Sequence, residues 1–371
     1  MFALTFRKPG DRMARMTYQP LLVVTAVMKN EAENLEKLIA STEGVFDHWV
    51  VVDTGSTDGT QEKLKYLLGD ELTLVQDDWD DDFARVRNLS LQAAEKLGAQ
   101  WCFVLDGDDL LEGAPAFKRA IAQIPEEVHF CGIEVIAPRH DGGAERFVQP
   151  RLFRASEKIR YEYPVHAYPD LGRWWANGAE KRILQLPDCR VRHEGYKDKA
   201  HLQKNWERTV RILREKMPEV PGETRPQSKH RLYCEGRSLM CLQRWEEAHE
   251  VVAKLVDLHG PGDGGTYLSM LAKVEYHGKG DILEAVHLYA QSLEINPGNL
   301  DNWYALLRVV SQGLYQIGAG HLQLENPPPS SQLPHLPQTL RALTDAHLFS
   351  TTVEEMGLIE AKVAELFPQA G

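Results

Sequence analysis

The chain has 371 residues, enough for two domains with buried cores. Hydrophobic residues make up 43% and charged residues 26%, the balance of an ordinary soluble globular protein. A formal net charge of -12 disfavours a broad non-specific surface for nucleic acid or anionic membrane.

Basic residues at Arg7, Lys8, Arg12 and Arg15 interrupt the N-terminus, so no signal-peptide core is expected there. No run approaches the ~20 apolar residues that a membrane span requires. The cysteines (Cys102, Cys131, Cys189, Cys234, Cys241) lack metal-type spacing and most sit in apolar runs. Both features give the expectation of a soluble, cytoplasmic protein in a reducing compartment.

The first buried strand runs from Pro20 to Met28. Asn30 and Glu33 then have the spacing of a capping box, before helical spacing at Leu35, Leu38 and Ile39. A second strand, from His48 to Val52, ends at Asp53, and Thr54 to Thr60 is a turn of small and polar residues. Helical spacing at Leu64, Leu67 and Leu68 precedes a short strand from Leu72 to Val75. The acidic loop from Asp77 to Asp82 leads into a helix carrying Phe83, Val86, Leu89 and Ala93, and one of Asp81 and Asp82 is expected to cap it. The strand from Trp101 to Leu105 runs into Asp106, Gly107, Asp108 and Asp109. Such alternation predicts a doubly wound α/β sheet. A helix to Ile124 follows, then strands at Val128 to Ile136 and Arg146 to Phe153, joined through Asp141 to Gly143. An aromatic-rich irregular stretch from Arg160 to Asp188 precedes a last strand at Arg190 to Tyr196 and a helix from about Ala200 to Lys216.

Composition shifts at 217–228, read as a linker after an α/β domain over 19–216 and an N-terminal tail over 1–18. Residues 229–320 read as helical repeats: Trp245 to Ala248 and Glu284 with Ala285 open similar helices, and the spacing from Ala285 through Tyr289 to Pro297 fits a tetratricopeptide repeat. A Pro-rich linker over 321–345 and an amphipathic helix over 346–371 close the chain.

Ligands of open α/β sheets sit beyond the carboxyl ends of strands, where Asp53 and the Asp106 to Asp109 acids fall. Asp106 and Asp108 are two apart, so an extended backbone turns both carboxylates the same way, a pairing suited to Mg²⁺ or Mn²⁺. Read alone, the stretch is better explained as a solvated acidic turn. Asp53 can accept hydrogen bonds from a base or ribose. Neither Gly-x-Gly-x-x-Gly nor a P-loop follows it, which counts against a hydride-transfer enzyme and an ATPase. Arg85 and Arg87 lie near a helix N-terminus, where a cation is unfavourable, so an anionic partner is expected for at least one.

In order and spacing, Met28-Lys-Asn-Glu31, Val51 to Thr60, Trp79 to Asn88, Leu105 to Asp109, Pro150-Arg-Leu-Phe-Arg154, Tyr161 to His166 and His193 to Tyr196 resemble the family 2 glycosyltransferases of GT-A fold. The helical part resembles a bacterial subgroup with tetratricopeptide-like repeats, to which the peptide S-glycosyltransferases are related. The resemblance implies a GT-A Rossmann-like sheet followed by an all-α domain. It implies an inverting, metal-dependent enzyme using a nucleotide sugar, most simply UDP-linked, with Mn²⁺ or Mg²⁺. Ala26, Val27, Lys29, Asn30, Glu31 and Asp53 would hold the nucleoside. Arg87 and Asn88 would lie near ribose and diphosphate, Asp106 and Gly107 against the donor, and Asp106, Asp108 and His193 at the metal. An imidazole ligand would favour Mn²⁺. Where relatives carry Val-His-Glu, this chain reads Val165-His166-Ala167. The acid that would serve as base is therefore missing, and Asp109, Glu162 and Asp170 are its candidate replacements. A peptide or protein acceptor is the first expectation, with a lipopolysaccharide-type glycan and a modified DNA base as alternatives. The repeats suit a partner or a homodimer. A degenerate nucleotide-binding scaffold is the reading from another class.

Overall fold

The computed structural model describes residues 22–138, 144–172, 184–194 and 199–318. The expected N-terminal tail, the Asp141 to Gly143 turn, Trp174 and Trp175, the Pro-rich linker and the C-terminal helix lie outside the described residues. The chain divides into two compact units, Met1–Asn205 and Trp206–Gly371. The division falls within the helix Lys199–Lys216, ahead of 217–228. Val210 explains this, since it packs in the same core as Leu232 and Leu239.

The first unit holds an eight-stranded sheet. Its strands are β1 (Leu22–Met28), β2 (His48–Asp53), β3 (Leu72–Gln76), β4 (Trp101–Asp106), β5 (Asp109–Glu112), β6 (Phe130–Pro138), β7 (Ala144–Arg154) and, after a separate two-stranded pair of β8 (Tyr161–Glu162) and β9 (Tyr168–Pro169), β10 (Leu184–His193). The order is β3-β2-β1-β4-β7-β6-β10-β5. β1 to β4 are parallel, while β7 runs antiparallel to β4 and β6, and β5 antiparallel to β10. The α/β class is as expected, but the sheet is mixed rather than parallel throughout.

Strand periodicity divides the core. Leu22, Val24, Met28, Phe103 and Leu105 face one way, against Leu35 and Leu38 of α1 (Leu35–Ser41), Leu64 of α2 (Thr60–Leu68) and Phe117 of α4 (Ala114–Ile121). Val23, Val50, Cys102 and Val104 face the other way, against Ala84, Leu91 and Ala94 of α3 (Phe83–Lys96). With helices on both faces, the central strands are near-continuous apolar runs. The parallel register sets Met28 beside Asp53, and Val27 beside Asp106. Three strand ends therefore meet at one edge of the sheet.

The second unit is a succession of helices: Arg225–Cys241, Trp245–His259, Thr266–Val274, Ile282–Ile295 and Leu300–Gly318. Thr224 and Gln227 form a reciprocal capping box at its first complete helix. Ala248 and Ala285, matched in the repeat reading, are both fully buried. Gly236 admits close packing, since a Cβ there would stand 2.8 Å or less from nothing but its neighbour's side chain, 2.7 Å from Val252 Cγ2.

Phe103 is fully buried, with ring centroids 4.7 Å from Phe117 and 5.6 Å from Phe46. Replacing it by Ala should cost about 3–5 kcal/mol, read as a lower denaturation midpoint for the first unit. An unchanged midpoint would refute its place at the centre of this core.

Candidate active site at the strand ends

Two loops leave β1 and β2 and are tied to each other. Asn30 adopts a left-handed backbone (φ 58°), and its Oδ1 accepts from the Thr57 N–H at 2.8 Å. Its own N–H donates to Ser56 Oγ at 2.9 Å. Glu31 N–H donates to Thr60 Oγ1 at 2.8 Å, and Ala32 N–H to Asp58 Oδ2 at 3.0 Å. The capping box expected from Asn30 and Glu33 is not formed, because Asn30 is spent on this inter-loop clamp. Helix α1 instead begins after Asn34, with no side-chain cap.

Asp53 is buried at the end of β2. Its Oδ1 accepts from the N–H groups of Gly55 and Ser56 and from Gln61 Nε2 at 2.7 Å. Its Oδ2 is buried without a hydrogen-bond partner. A buried acceptor in that state is costly unless something donates to it.

The second half of the site follows β4. Asp109 is fully buried, and its Oδ2 accepts from Arg151 Nη1 at 2.5 Å and from the Asp106 N–H at 2.8 Å. Its Oδ1 lies 2.9 Å from His193 Nδ1, opposite it in the β5–β10 register. Asp106 accepts from Arg87 Nη2 at 2.6 Å, with Arg151 Nη2 3.6 Å away. Asp108 Oδ1 stands 3.3 Å from His193 Nδ1. Gly107 passes tightly over Glu31, and a Cβ there would meet Glu31 Cδ at 2.8 Å.

The carboxylates differ electrostatically. Burial opposes ionisation of Asp106, but Arg87, Arg151 and His193 hold it well below the usual range. Burial lifts Asp108 to about 6; His193 opposes this, and Asp106 and Asp109 add to it. Burial would lower His193, yet the hydrogen bond to Asp109 and the charges of Asp108, Asp109 and Asp106 raise it to about 9. Ligand atoms of Asp106, Asp109 and His193 all lie within 4.8 Å of one another. Hard oxygen donors with one imidazole suit Mg²⁺ or Mn²⁺, and Asp108 is a half-buried carboxylate that faces that imidazole. The group fits a divalent ion, with Asp109 better suited to orienting His193 through Nδ1 than to meeting a ligand.

Asp82 caps α3 by accepting from the Arg85 N–H. Both arginines near that end have acidic partners: Arg85 meets Asp77 and Asp80, and Arg87 meets Asp106. Asn88 is tied to the β8 backbone. Its amide accepts from the Tyr161 N–H at 2.7 Å and donates to the Tyr161 carbonyl at 2.9 Å, fastening β8 to α3. Glu162 and Asp170 are exposed at the β8–β9 pair, apart from the buried Asp109. Ala26 is a core residue paired with Val51 and Leu105, whereas Lys29 and Asn30 are exposed and Val27 and Glu31 half-buried at the strand end. Arg151 was given no role by its motif. The signal for it was a cation inside a strand and directly followed by two core residues, Leu152 and Phe153.

Residues 24–171 match the Glycosyl transferase family 2 model. The chain is 30% identical over 226 residues to a TPR repeat-containing protein of Synechococcus elongatus, covering 59% of this chain and 54% of that one. It is 24% identical over 241 residues to the SPbeta prophage-derived glycosyltransferase SunS of Bacillus subtilis, covering 64% and 54%. The chain thus spans about half the length of these relatives. Among solved structures it is similar to S. aureus TarS, with a TM-score of 0.41, 15% identity, and 72% and 54% of the two chains covered. No helix among the described residues is long and apolar enough to cross a membrane.

Removing one partner of the buried Arg151–Asp109 pair strands a charge. Asp109→Ala should therefore cost about 3–5 kcal/mol in denaturant unfolding without any ligand, while the exposed Glu162→Gln stays within about 0.5 kcal/mol. Equal stability of the two variants would reject the positioning role of Asp109.

Proposed function

We propose that the protein is an inverting glycosyltransferase that moves a sugar from a UDP-linked donor to a peptide or protein acceptor, in the cytoplasm. The observation that carries this reading is the convergence at neighbouring strand ends of a buried, unpartnered Asp53 Oδ2 with the Asp106, Asp109 and His193 cluster, to which Asp108 adds a carboxylate 3.3 Å from His193 Nδ1, within the stretch that matches the family 2 model. Asp53 accepts from the base or ribose of the nucleotide, with the 29–31 loop beside it. Arg87 holds Asp106 ionised and lies within reach of the same ligand space. Asp106, Asp108 and His193 would hold a divalent ion, Mn²⁺ or Mg²⁺, whose chemistry there would be to offset charge growing on the leaving diphosphate. Metal binding at His193 competes with the proton that its carboxylate neighbours stabilise.

The base that deprotonates the acceptor comes from the β8–β9 pair. Asp109 has both carboxylate oxygens committed inside the protein. Glu162 is exposed, and its pKa is raised by partial burial and then by Asp170. A raised carboxylate is better matched to proton abstraction near neutral pH. The helical unit, by its resemblance to tetratricopeptide repeats, supports a polypeptide acceptor or a second copy of the chain.

Release of UDP from a panel of UDP-sugars with Mn²⁺ tests the reading. Turnover with at least one donor, and loss of metal-dependent UDP binding in Asp108→Ala, are expected. UDP binding with no turnover on any donor would favour the scaffold reading instead. Turnover should rise as pH passes upward through the raised Glu162 value, because the base works only when ionised. Glu162→Gln should lower kcat by about 10²–10⁴ and flatten that limb. An unaltered pH profile in the variant would remove Glu162 from the reaction.

A further inference from the structure

The second unit contains a cleft unrelated to the strand-end site. It encloses about 360 Å³ and is lined by Arg225, Lys229, His259, Pro261, Gly262, Asp263 and Tyr267. Three elements build it: the first turns of the helix Arg225–Cys241, the last residue of Trp245–His259, and the loop into Thr266–Val274. Gly262 turns that loop with φ 77° and lies so close to the Tyr267 ring that a Cβ would stand 2.6 Å from its Cγ. Its wall is therefore a ring and a proline, and its cations come from successive turns of one helix.

Two cations of the cleft, Arg225 and Lys229, face a single lining acid, Asp263. Glu223, the acid on the adjoining connection, is committed to Arg231 by two hydrogen bonds of 3.0 and 2.8 Å. Asp263 is fully exposed and 3.8 Å from Lys229, whose ammonium also sits 5.9 Å from the Tyr267 centroid. Arg225 has no acidic partner among the described residues. His259 is fixed by Ser228, whose Oγ is 2.7 Å from its Nε2, while its buried Nδ1 has no hydrogen-bond partner. Burial, then Arg225 and Lys229, hold the His259 pKa below its ordinary value, as expected where positive potential is uncompensated. In a chain of net charge -12, that local excess calls for an anion.

We propose that this cleft binds an oxyanion, a carboxylate or a phosphate, between Arg225, Lys229 and His259 and beside the Tyr267 ring. Arg225 supplies the planar fork that matches either group, and Lys229 a point charge. The site is independent of sugar transfer, so it stands or falls apart from the function proposed above.

The test is calorimetric titration of the full chain with inorganic phosphate and, separately, succinate, with His259 ring resonances followed by NMR. Saturable binding of either anion that shifts those resonances is expected, and which anion binds more tightly identifies the oxyanion. The double variant Arg225→Ala with Lys229→Ala should weaken binding at least about tenfold, since hydrogen bonds to charged groups are each worth that much. A control pair of exposed cations in the first unit, Lys65→Ala with Arg119→Ala, should leave it unchanged. Failure of both anions to saturate, unmoved His259 resonances, or equal weakening by the control pair would overturn the proposal.

Discussion

A carboxylate sealed from water must meet a cation or give up its charge, and Asp109 meets Arg151. The contact joins β7 to the turn that follows β4, two segments far apart in sequence. Because Asp109 also accepts from the Asp106 N–H, it fixes the bend that sends the chain from β4 into β5. β5 in turn pairs with β10, which sets His193 opposite Asp109. One buried ion pair thus controls the direction of the acidic turn and the approach of the imidazole to it. The pair contributes less through its own attraction than through the cost of breaking it, since either partner alone would be a stranded charge.

Much of the first unit was legible in the sequence because buried parallel strands read as apolar runs, and β1, β2 and β4 lie close to where those runs predict them. Asp53 and Asp106 could be placed at strand ends for the same reason. β5 was not legible: Asp109-Leu-Leu-Glu112 is short, follows directly on an acidic turn, and is a strand only because β10 returns to pair with it. β10 itself begins at Leu184, six residues before the expected Arg190, and its register shifts between Gln185 and Arg190 around Asp188, which has φ 58°. Such an irregularity hides alternation. The partners of Asn30 and Asn88 were hidden for one common reason. Each has a side chain that serves distant backbone, and local spacing cannot report a partner 27 or 73 residues away.

The site is more nearly neutral than its acidic sequence suggests. Asp106, Asp108 and Asp109 are offset by the guanidinium groups of Arg87 and Arg151. The two arginines serve Asp106 and Asp109, so the residual negative charge is concentrated on Asp108. This explains why the carboxylates diverge so far, with Asp106 held ionised and Asp108 lifted to about 6. A divalent cation beside Asp108 would turn the local balance positive, which is the condition under which a diphosphate is attracted to a group of acids. Cation and nucleotide should accordingly reinforce each other's binding.

The β8–β9 pair shows how a loop can be held without a long strand. Each of its strands has two residues, too few to define a hairpin by their own ladder. Tyr163 and His166 within it have positive φ, a conformation that costs non-glycine residues on the order of 1 kcal/mol or more. The strain persists because the segment is fastened from outside: Asn88 grips the Tyr161 backbone on both sides and the Phe83 N–H donates to the Pro164 carbonyl at 2.8 Å, while the Asp170 N–H closes the segment on itself by donating to the Arg160 carbonyl at 2.7 Å. The two outside fastenings tie the carrier of Glu162 to α3 or its N-terminus, the helix that also carries Arg87. A change in α3 would therefore move Glu162 and the Asp106 clamp together. Loss of Asn88 would therefore act on the geometry of the loop.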